Sequence, residues 1–275
     1  MSLFQKRLVN CNWVQNLGMA TINFHKYQGT GNDFVMIDNR EEGFDKSDLK
    51  LIASLCDRRF GIGADGVILI ENCERADFEM VYFNPDGSQS LCGNGSRCAV
   101  MFANHLGVIQ NETTFLAVDG IHKAYIEDEE VRLLMHDVST YEMIDQDFLI
   151  DTGSPHYIKY VDSTDTVDPI VEGRKIRYSD RFSAAGVNVN FLELTGEGEL
   201  KIRTYERGVE YETLSCGTGC TAAALSLGLK TGVEQVELNA SGGALKVSFK
   251  KDGERFKDIY LIGPAERVFA GEITL

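Results

Sequence analysis

The sequence has few prolines and a single tryptophan, and it has no long apolar run. It contains 4 prolines against 27 glycines in 275 residues, a composition unlike that of Pro-rich disordered segments. No apolar stretch approaches the ~18 residues that a membrane-spanning helix needs. The amino terminus also lacks a basic segment followed by a continuous apolar stretch and a cleavage site. We therefore expect a soluble, cytoplasmic protein without a membrane partner.

Cationic side chains are also scarce. There are 27 lysines and arginines against 42 aspartates and glutamates, which gives a net charge of -15. The lysines and arginines form no cluster that would attract a polyanion, and the excess negative charge repels one. Nucleic acid is therefore not an expected partner.

The cysteines lack the pattern of a disulfide or zinc protein. They number seven, an odd count, and no secretion signal accompanies them, so a disulfide framework is not predicted. No Cys-x-x-Cys motif occurs, and neither the Cys92/Cys98 nor the Cys216/Cys220 pair has a second matching pair nearby. A zinc site of four such ligands is not predicted, and we expect no metal.

The chain is long enough for two domains and has an ordinary globular composition. Its apolar fraction is 43% and its charged fraction 25%, and its length is about twice that of a typical ~150-residue domain. Apolar alternation begins near Ile22, which predicts that residues 1–18 form an extension. Both halves are predicted to be rich in strands. Helices are predicted from Ser47 to Arg58, from Gly93 to His105 and from Gly217 onward.

One short motif occurs twice. Cys92-Gly93-Asn94-Gly95 recurs as Cys216-Gly217-Thr218-Gly219. Each copy follows a predicted strand and a polar loop, and each precedes an apolar helix of small residues. The recurrence predicts that one α/β unit has been duplicated.

A Cys-Gly-x-Gly turn at the start of a helix has a definite chemistry. Its glycines let a ligand approach the backbone, and the first helix amides have no partner within the helix. The helix dipole is expected to lower the thiol pKa from ~8.5 toward neutrality. A single turn of this kind also serves as a simple helix cap. Two turns facing one cleft would hold a carboxylate and place two thiols on opposite faces of one carbon.

Six motifs in order along the chain resemble those of the diaminopimelate epimerase family. The resemblance extends roughly from Ile22 to Leu275, and the ordered set is far more specific than any one motif. The motifs are Gly29-Thr30-Gly31-Asn32-Asp33-Phe34, Phe83-Asn84-Pro85-Asp86-Gly87-Ser88, Cys92-Gly93-Asn94-Gly95-Ser96-Arg97-Cys98, Gly153-Ser154-Pro155-His156, Tyr205-Glu206-Arg207-Gly208 and Cys216-Gly217-Thr218-Gly219.

The resemblance implies a fold and an activity. The fold is α/β, with two pseudo-symmetric domains that each wrap a curved mixed sheet around a central helix, and with the active site in the cleft between them. Residues 19–136 plus 264–275 would form the first domain and residues 137–263 the second. The family interconverts the LL and meso forms of 2,6-diaminoheptanedioate without a cofactor or metal, in lysine and cell-wall precursor biosynthesis. A homodimer is expected.

The resemblance also assigns roles to residues. Cys216 would deprotonate the LL substrate, and Cys92 would reprotonate the opposite face. Glu206 is predicted to hold an ammonium group, while His156 would tune a thiol, orient the substrate or play a structural part. Amides at the two turns are suited to the reacting carboxylate, where charge develops: those of Gly93, Asn94, Gly217 and Thr218. Four side chains resemble the family's set for the distal end of the substrate: Asn32, Asn84, Asn188 and Arg207.

The chain departs from the family pattern at two positions. Ser154 stands where the family commonly has asparagine, so this side chain is expected to reach the distal carboxylate only through water. Gly66 stands where the family often has a glutamine that touches substrate. Contact at position 66 is therefore expected only through the backbone.

Two other functions remain open at this point. A proline racemase-like enzyme would share the fold and both cysteines but would have a smaller, less polar cavity; Arg207 and the asparagines favour a substrate with a second charged end. A binding module or a thiol redox protein is the other alternative. Redox pairs are usually adjacent, whereas 124 positions separate Cys92 from Cys216, and a binding module needs no thiol at both turns.

Overall fold

The computed structural model describes residues 21–274, so the predicted extension at residues 1–18 lies outside the described residues. Strands dominate the described part: β1 (Thr21–Gly29), β2 (Asn32–Asp38), β3 (Gly66–Glu71), β4 (Phe78–Phe83), β5 (Glu112–Ala117), β6 (Gly120–Glu127), β7 (Glu130–Leu134), β8 (Tyr141–Ile144), β9 (Asp147–Asp151), β10 (Pro155–Tyr160), β11 (Asn188–Gly196), β12 (Glu199–Glu206), β13 (Tyr211–Thr213), β14 (Gln235–Ala240), β15 (Gly243–Asp252), β16 (Arg255–Gly263) and β17 (Glu266–Thr274). The helices are α1 (Leu49–Cys56), α2 (Gly93–His105), α3 (Pro169–Arg177) and α4 (Gly217–Thr231). No helix in the described part is long and apolar enough to cross a membrane.

The strand pairings repeat between the two halves of the chain. In the first half β1 pairs antiparallel with β2, β2 parallel with β3, β3 antiparallel with β4, and β4 parallel with β5, after which β5, β6 and β7 are antiparallel. The series β9, β10, β11, β12, β14, β15 and β16 has the same order of pairings. Helices α1 and α3 occupy the first parallel crossover of each half, and α2 and α4 the second. The pseudo-symmetric α/β fold is therefore confirmed.

Equivalent strands join the halves. β7 pairs antiparallel with β16, with Leu133 opposite Leu261, so one sheet runs through the whole described structure. The last strand, β17, returns to the first half and pairs with β1, and β8 pairs in the same way with β9. Because the sheet is continuous, the boundaries between the two domains stay a prediction.

Each half of the sheet wraps around one buried helix. α2 and α4 bury small residues such as Ala99, Ala103 and the Ala222–Ala224 run, which lets the curved strands approach closely. The other face of each sheet is covered by α1 or α3. The sequence analysis missed α3, although Asp168 caps its first amides and Pro169 occupies its first turn, both of which are start signals of a helix.

The contact between α3 and its sheet leaves no space at Gly173. A Cβ there would lie 2.5 Å from Tyr205 Cβ, an atom fixed to the backbone of a fully buried residue. We expect Gly173→Ala to destabilise the protein by about 1–3 kcal/mol through overpacking, although alanine favours helix by about 1 kcal/mol. Denaturant unfolding measures the change. Gly43→Ala is the control, because a Cβ at Gly43 meets nothing within 4 Å; equal stability of the two variants would contradict the packing described here.

Candidate active site

The two cysteine turns meet head to head. Cys92 is the N-cap of α2, and Cys216 is the N-cap of α4. A Cβ built on Gly217 would lie 3.7 Å from Gly93 Cα and 2.7 Å from Leu261 Cδ2. The two glycines are thus close neighbours, and the tightest approach to Gly217 is made by the Leu261 side chain. The N-termini of both central helices therefore face one cleft.

Two cavities occupy this cleft. The Cys92 cavity has a volume of about 650 Å³, and the Cys216 cavity one of about 380 Å³. Ser90, Leu91 and Glu206 line both cavities. The carboxylate of Glu206 therefore lies where the space around one thiol adjoins the space around the other.

Cys92 is surrounded by amides. Its Sγ donates to Asn32 Oδ1 at 3.4 Å and accepts from the Gly95 amide at 3.4 Å. The Asn32 amide donates in turn to Asp65 Oδ2 at 2.6 Å. The pKa of Cys92 is raised to about 11, mainly by burial; the Gly95 amide opposes this shift, and the negative charge of Glu206 adds to it.

Cys216 lies at the end of a chain of neutral hydrogen bonds. Asn190 Nδ2 contacts His156 Nδ1 at 3.1 Å, His156 Nε2 contacts Thr218 Oγ1 at 2.9 Å, and Thr218 Oγ1 lies 3.4 Å from Cys216 Sγ. Because Asn190 donates to Nδ1, the imidazole proton is assigned to Nε2, which leaves the Thr218 hydroxyl free to donate to sulfur. Burial, followed by the charge of Arg207, lowers the pKa of His156 to about 3. His156 is therefore neutral near pH 7.

The thiol pKa values correct an expectation from the sequence. The helix dipole was expected to lower both values toward neutrality, but burial raises the pKa of Cys216 as well as that of Cys92. The expectation was wrong because removing a thiolate from water costs more than the helix amides return. Glu206 adds to the effect at both sulfurs.

The predicted distal set is divided between the two cavities. Asn32 and Asn84 line the Cys92 cavity, whereas Ser154, Asn188 and Arg207 line the Cys216 cavity. Asn188 is buried, and its amide donates to Ser154 Oγ at 2.6 Å while its Oδ1 accepts from the Arg207 backbone at 2.8 Å. Asn188 therefore fixes the positions of its two predicted partners.

The two charged residues of the predicted set differ in exposure. Arg207 is exposed, and its guanidinium donates to the Ala185 carbonyl at 3.1 Å. Glu206 is partly buried and accepts from Thr213 Oγ1 at 2.9 Å, and burial raises its pKa. Arg207 therefore lies at the solvent-exposed side of the Cys216 cavity, whereas Glu206 is partly buried between the two cavities.

Asn94 connects the two halves at the base of the cleft. It is buried, and its Nδ2 donates to the Ser215 carbonyl at 3.2 Å and to Asn32 Oδ1 at 3.4 Å. Gly93 and Thr218 line the Cys216 cavity. Gly217 lies next to Gly93, since a Cβ built on Gly217 would be 3.7 Å from Gly93 Cα. The residues predicted at the two turns are thus brought together.

Tyr82 is a cavity residue that the sequence analysis missed. A Cβ on Gly66 would lie 2.4 Å from Tyr82 Cε2 and 2.6 Å from the Phe83 carbonyl oxygen, so the tyrosine ring fills the space beside Gly66. The Tyr82 hydroxyl donates to Asn84 Oδ1 at 2.9 Å. Its position near the end of β4, two residues before Asn84, was the available signal.

Comparison of the sequence with known families gives a consistent result. The family model described as diaminopimelate epimerase matches residues 24–141 and 148–268. The diaminopimelate epimerase of Flavobacterium psychrophilum is 52% identical over 249 residues, covering 89% of this chain and 97% of that protein. The enzyme of the same name from Aquifex aeolicus is 39% identical, covering 91% and 97%.

Solved structures share the fold at low sequence identity. A PhzF-family phenazine biosynthesis protein from Bacillus anthracis superimposes with a TM-score of 0.74 at 16% identity, covering 94% of this chain and 100% of that one. A hydroxyproline epimerase from Agrobacterium vitis, with bound trans-4-hydroxy-L-proline, gives 0.67 at 16% identity, covering 93% of each. These likenesses concern the fold alone. The family model matches nearly all of the described part of the chain, and the two relatives are 52% and 39% identical to it. The chain therefore belongs to the diaminopimelate epimerase family.

Proposed function

We propose that this protein interconverts LL- and meso-2,6-diaminoheptanedioate, in lysine and cell-wall precursor biosynthesis, with Cys92 and Cys216 as its two acid/base groups. The head-to-head contact between Gly93 and Gly217 is the observation that carries the proposal. It directs a thiol and a set of free helix amides from each pseudo-symmetric half toward one cleft. The activity is the one named for the relatives with 52% and 39% identity.

The proposed reaction moves one proton off the substrate and another one on. For the LL substrate, the Cys216 thiolate takes the α-proton, so that an S–H bond forms as the C–H bond breaks. The electron pair left on carbon is stabilised through the carboxylate, which helix amides bind. Cys92 then delivers its proton to the opposite face and becomes the thiolate. In the reverse direction the roles exchange.

Glu206 supports a role for the substrate in activating the thiols. Its negative charge raises the pKa of both sulfurs, so an empty cleft favours the thiol forms. An ammonium group that pairs with Glu206 cancels this charge and makes a thiolate less costly. In the empty cleft burial raises the thiol pKa values, and substrate binding is proposed to lower them.

The distal end of the substrate is proposed to bind to the divided set of polar side chains. Asn84, oriented by Tyr82, and Asn32 would hold it from the Cys92 cavity. Asn188 and Ser154 would act from the other side, with Arg207 swinging inward to pair with the distal carboxylate. Ser154 accepts a hydrogen bond from Asn188. This contact supports a role for Ser154 in positioning Asn188, in addition to its water-mediated contact with the substrate.

The proposed reaction needs no cofactor, because two thiols complete the proton transfer.

We also propose that the protein forms a homodimer in the cytoplasm. Val268 and Phe269 on β17 are about half exposed, at 57% and 47%, and supply apolar surface that a second copy could cover. Sedimentation equilibrium measures the subunit number, and a monomer at micromolar concentration would contradict the dimer.

The first prediction for the proposed mechanism concerns the two thiols. We expect Cys92→Ala and Cys216→Ala each to reduce conversion of LL to meso substrate by about 10³-fold or more, because each face of the carbon has one catalyst. Chiral chromatography of the product measures the rate. Cys98→Ala and Cys220→Ala are the controls: both cysteines are buried, so these changes cost mainly packing stability. Near-normal turnover by either Cys92→Ala or Cys216→Ala would refute the two-base assignment.

A second prediction follows from the raised pKa of Cys92. Because a pKa of about 11 leaves little thiolate at neutral pH, alkylation of Cys92 by iodoacetamide in the free protein should speed up about 100-fold between pH 7 and pH 9. Peptide mapping of the alkylated cysteine gives the rate. In Glu206→Gln the pKa should fall, so alkylation at pH 8 should be faster while epimerisation is slower. A rate of alkylation that is flat above pH 7 would show a low pKa instead.

A third prediction tests the distal end. We expect lysine, which lacks the distal carboxylate, to react at least about 100-fold more slowly than diaminopimelate, since polar groups of the site lose their partner. Arg207→Ala should raise KM for diaminopimelate and reduce the discrimination against lysine, whereas Arg181→Ala, which alters an exposed arginine elsewhere, should do neither. Comparable kcat/KM for lysine, proline and diaminopimelate would favour the proline racemase-like alternative.

A further inference from the structure

Three metal-ligating side chains meet beside the Cys216 cavity. Asp119 lies in the turn between β5 and β6, His122 on β6 and His136 just after β7. One ligand atom from each lies within 4.8 Å of the others. His122 Nε2 is 2.8 Å from Asp119 Oδ1, and His136 Nε2 is 3.7 Å from Asp119 Oδ2. All three residues line the cavity that also contains Cys216.

We propose that Asp119, His122 and His136 bind a divalent transition-metal ion, of the type of Zn²⁺, at the rim of the Cys216 cavity. The proposed ion takes no part in the proton transfers assigned to the two thiols. The metal site is separate from the two thiols, and binding of the ion does not depend on the proposed function.

The separations of the ligand atoms suit such an ion. With metal–ligand bonds of about 2.0–2.2 Å, two ligands of a tetrahedral site lie about 3.4 Å apart. The two measured separations, 2.8 and 3.7 Å, fall on either side of this value. Small side-chain movements therefore convert the hydrogen-bonded arrangement into a coordinating one.

The environment of the three side chains combines one fixed ligand with one adaptable ligand. The buried His122 ring stacks on Phe115 at 5.3 Å and 22°, and Phe115 stacks on Phe78 at 5.4 Å. The His136 side chain is 63% exposed, which gives an ion access from solvent. Two imidazoles and one carboxylate form a common ligand set for zinc with a fourth position open.

A simple ion pair explains less of this arrangement. Asp119 needs only His122 to satisfy one oxygen, yet a second imidazole faces the other oxygen. A single ion would instead use both imidazoles and the carboxylate at once.

An ion at this rim would affect the cavity. The open position would attract a carboxylate, and the cavity also contains Ser154 and Thr218, which the proposed function assigns to substrate. We expect occupancy to slow epimerisation by competing for the substrate's carboxylate. This functional consequence rests on the proposed function, whereas binding of the ion does not.

The test measures Zn²⁺ binding by calorimetry in a Cys92→Ser/Cys216→Ser protein, which removes the reactive thiols as competing ligands. One ion per chain is expected. His136→Ala and Asp119→Asn in the same background should each weaken binding by at least about tenfold. His105→Ala, which removes an exposed histidine elsewhere, should leave the affinity unchanged. Unchanged affinity in His136→Ala, or no binding at millimolar Zn²⁺, overturns the proposal.

A second measurement uses the protein with its cysteines intact. The first equivalent of Co²⁺ should give weak visible bands of nitrogen and oxygen ligation, without the intense near-ultraviolet band of thiolate ligation, and His136→Ala should lose them. A thiolate band at the first equivalent would assign the ion to the cysteines and overturn the proposal. Because neither readout uses turnover, a protein without epimerase activity would still give a result on the metal site.

Discussion

The contact between Gly93 and Gly217 is the constraint on which the cleft depends. It brings the N-termini of the two central helices together, so that the free amides of both can serve a single ligand. Leu261 Cδ2 lies against the same contact, 2.7 Å from the position of a Cβ on Gly217. Leu261 belongs to β16 and pairs with Leu133 of β7. The strand junction between the halves and the meeting point of the helices are therefore one packed unit.

The surroundings of the two thiols differ despite the symmetry of the fold. Cys92 contacts an asparagine and a helix amide, whereas Cys216 contacts a hydroxyl that is backed by a neutral histidine. Neither sulfur has a permanent cationic partner among these contacts. Glu206 lines both cavities, and its charge raises the pKa of both thiols. The ionisation of the two thiols is thus coupled to whatever neutralises one carboxylate.

Much of the architecture was predictable from a single repeated motif. The two Cys-Gly-x-Gly turns predicted duplication and two central helices, and the repeated order of strand pairings confirms the pseudo-symmetric fold. Helix α3 was missed because its run of charged residues hides a weak apolar periodicity, although Asp168 and Pro169 marked its start. Strand β8 was not foreseen, because it lies at an edge and its pairing depends on tertiary placement. The resemblance, by contrast, had already placed residues 264–275, which contain β17, in the first domain.

The pKa values and the exposure of the site residues were harder to predict than the identity of those residues. The motifs identified residues that the structure places around one cleft, but the thiol pKa depends on how much water the surrounding chain excludes, which no local motif encodes. The same is true of the exposure of Arg207. Tyr82 occupies the space beside Gly66 through a strand pairing between β3 and β4, so the meaning of that glycine emerges only when both strands are placed.

The pairing of β17 with β1 has a consequence for how the protein is made. The ribosome delivers β1 first among the described strands and β17 last, with the entire second half between them. The edge of β1 that β17 covers therefore stays open while more than two hundred residues are synthesised, and an open edge can pair with other chains. The first half receives its last strand, β17, only after the second half has emerged. The half that is synthesised first is therefore the half that is completed last.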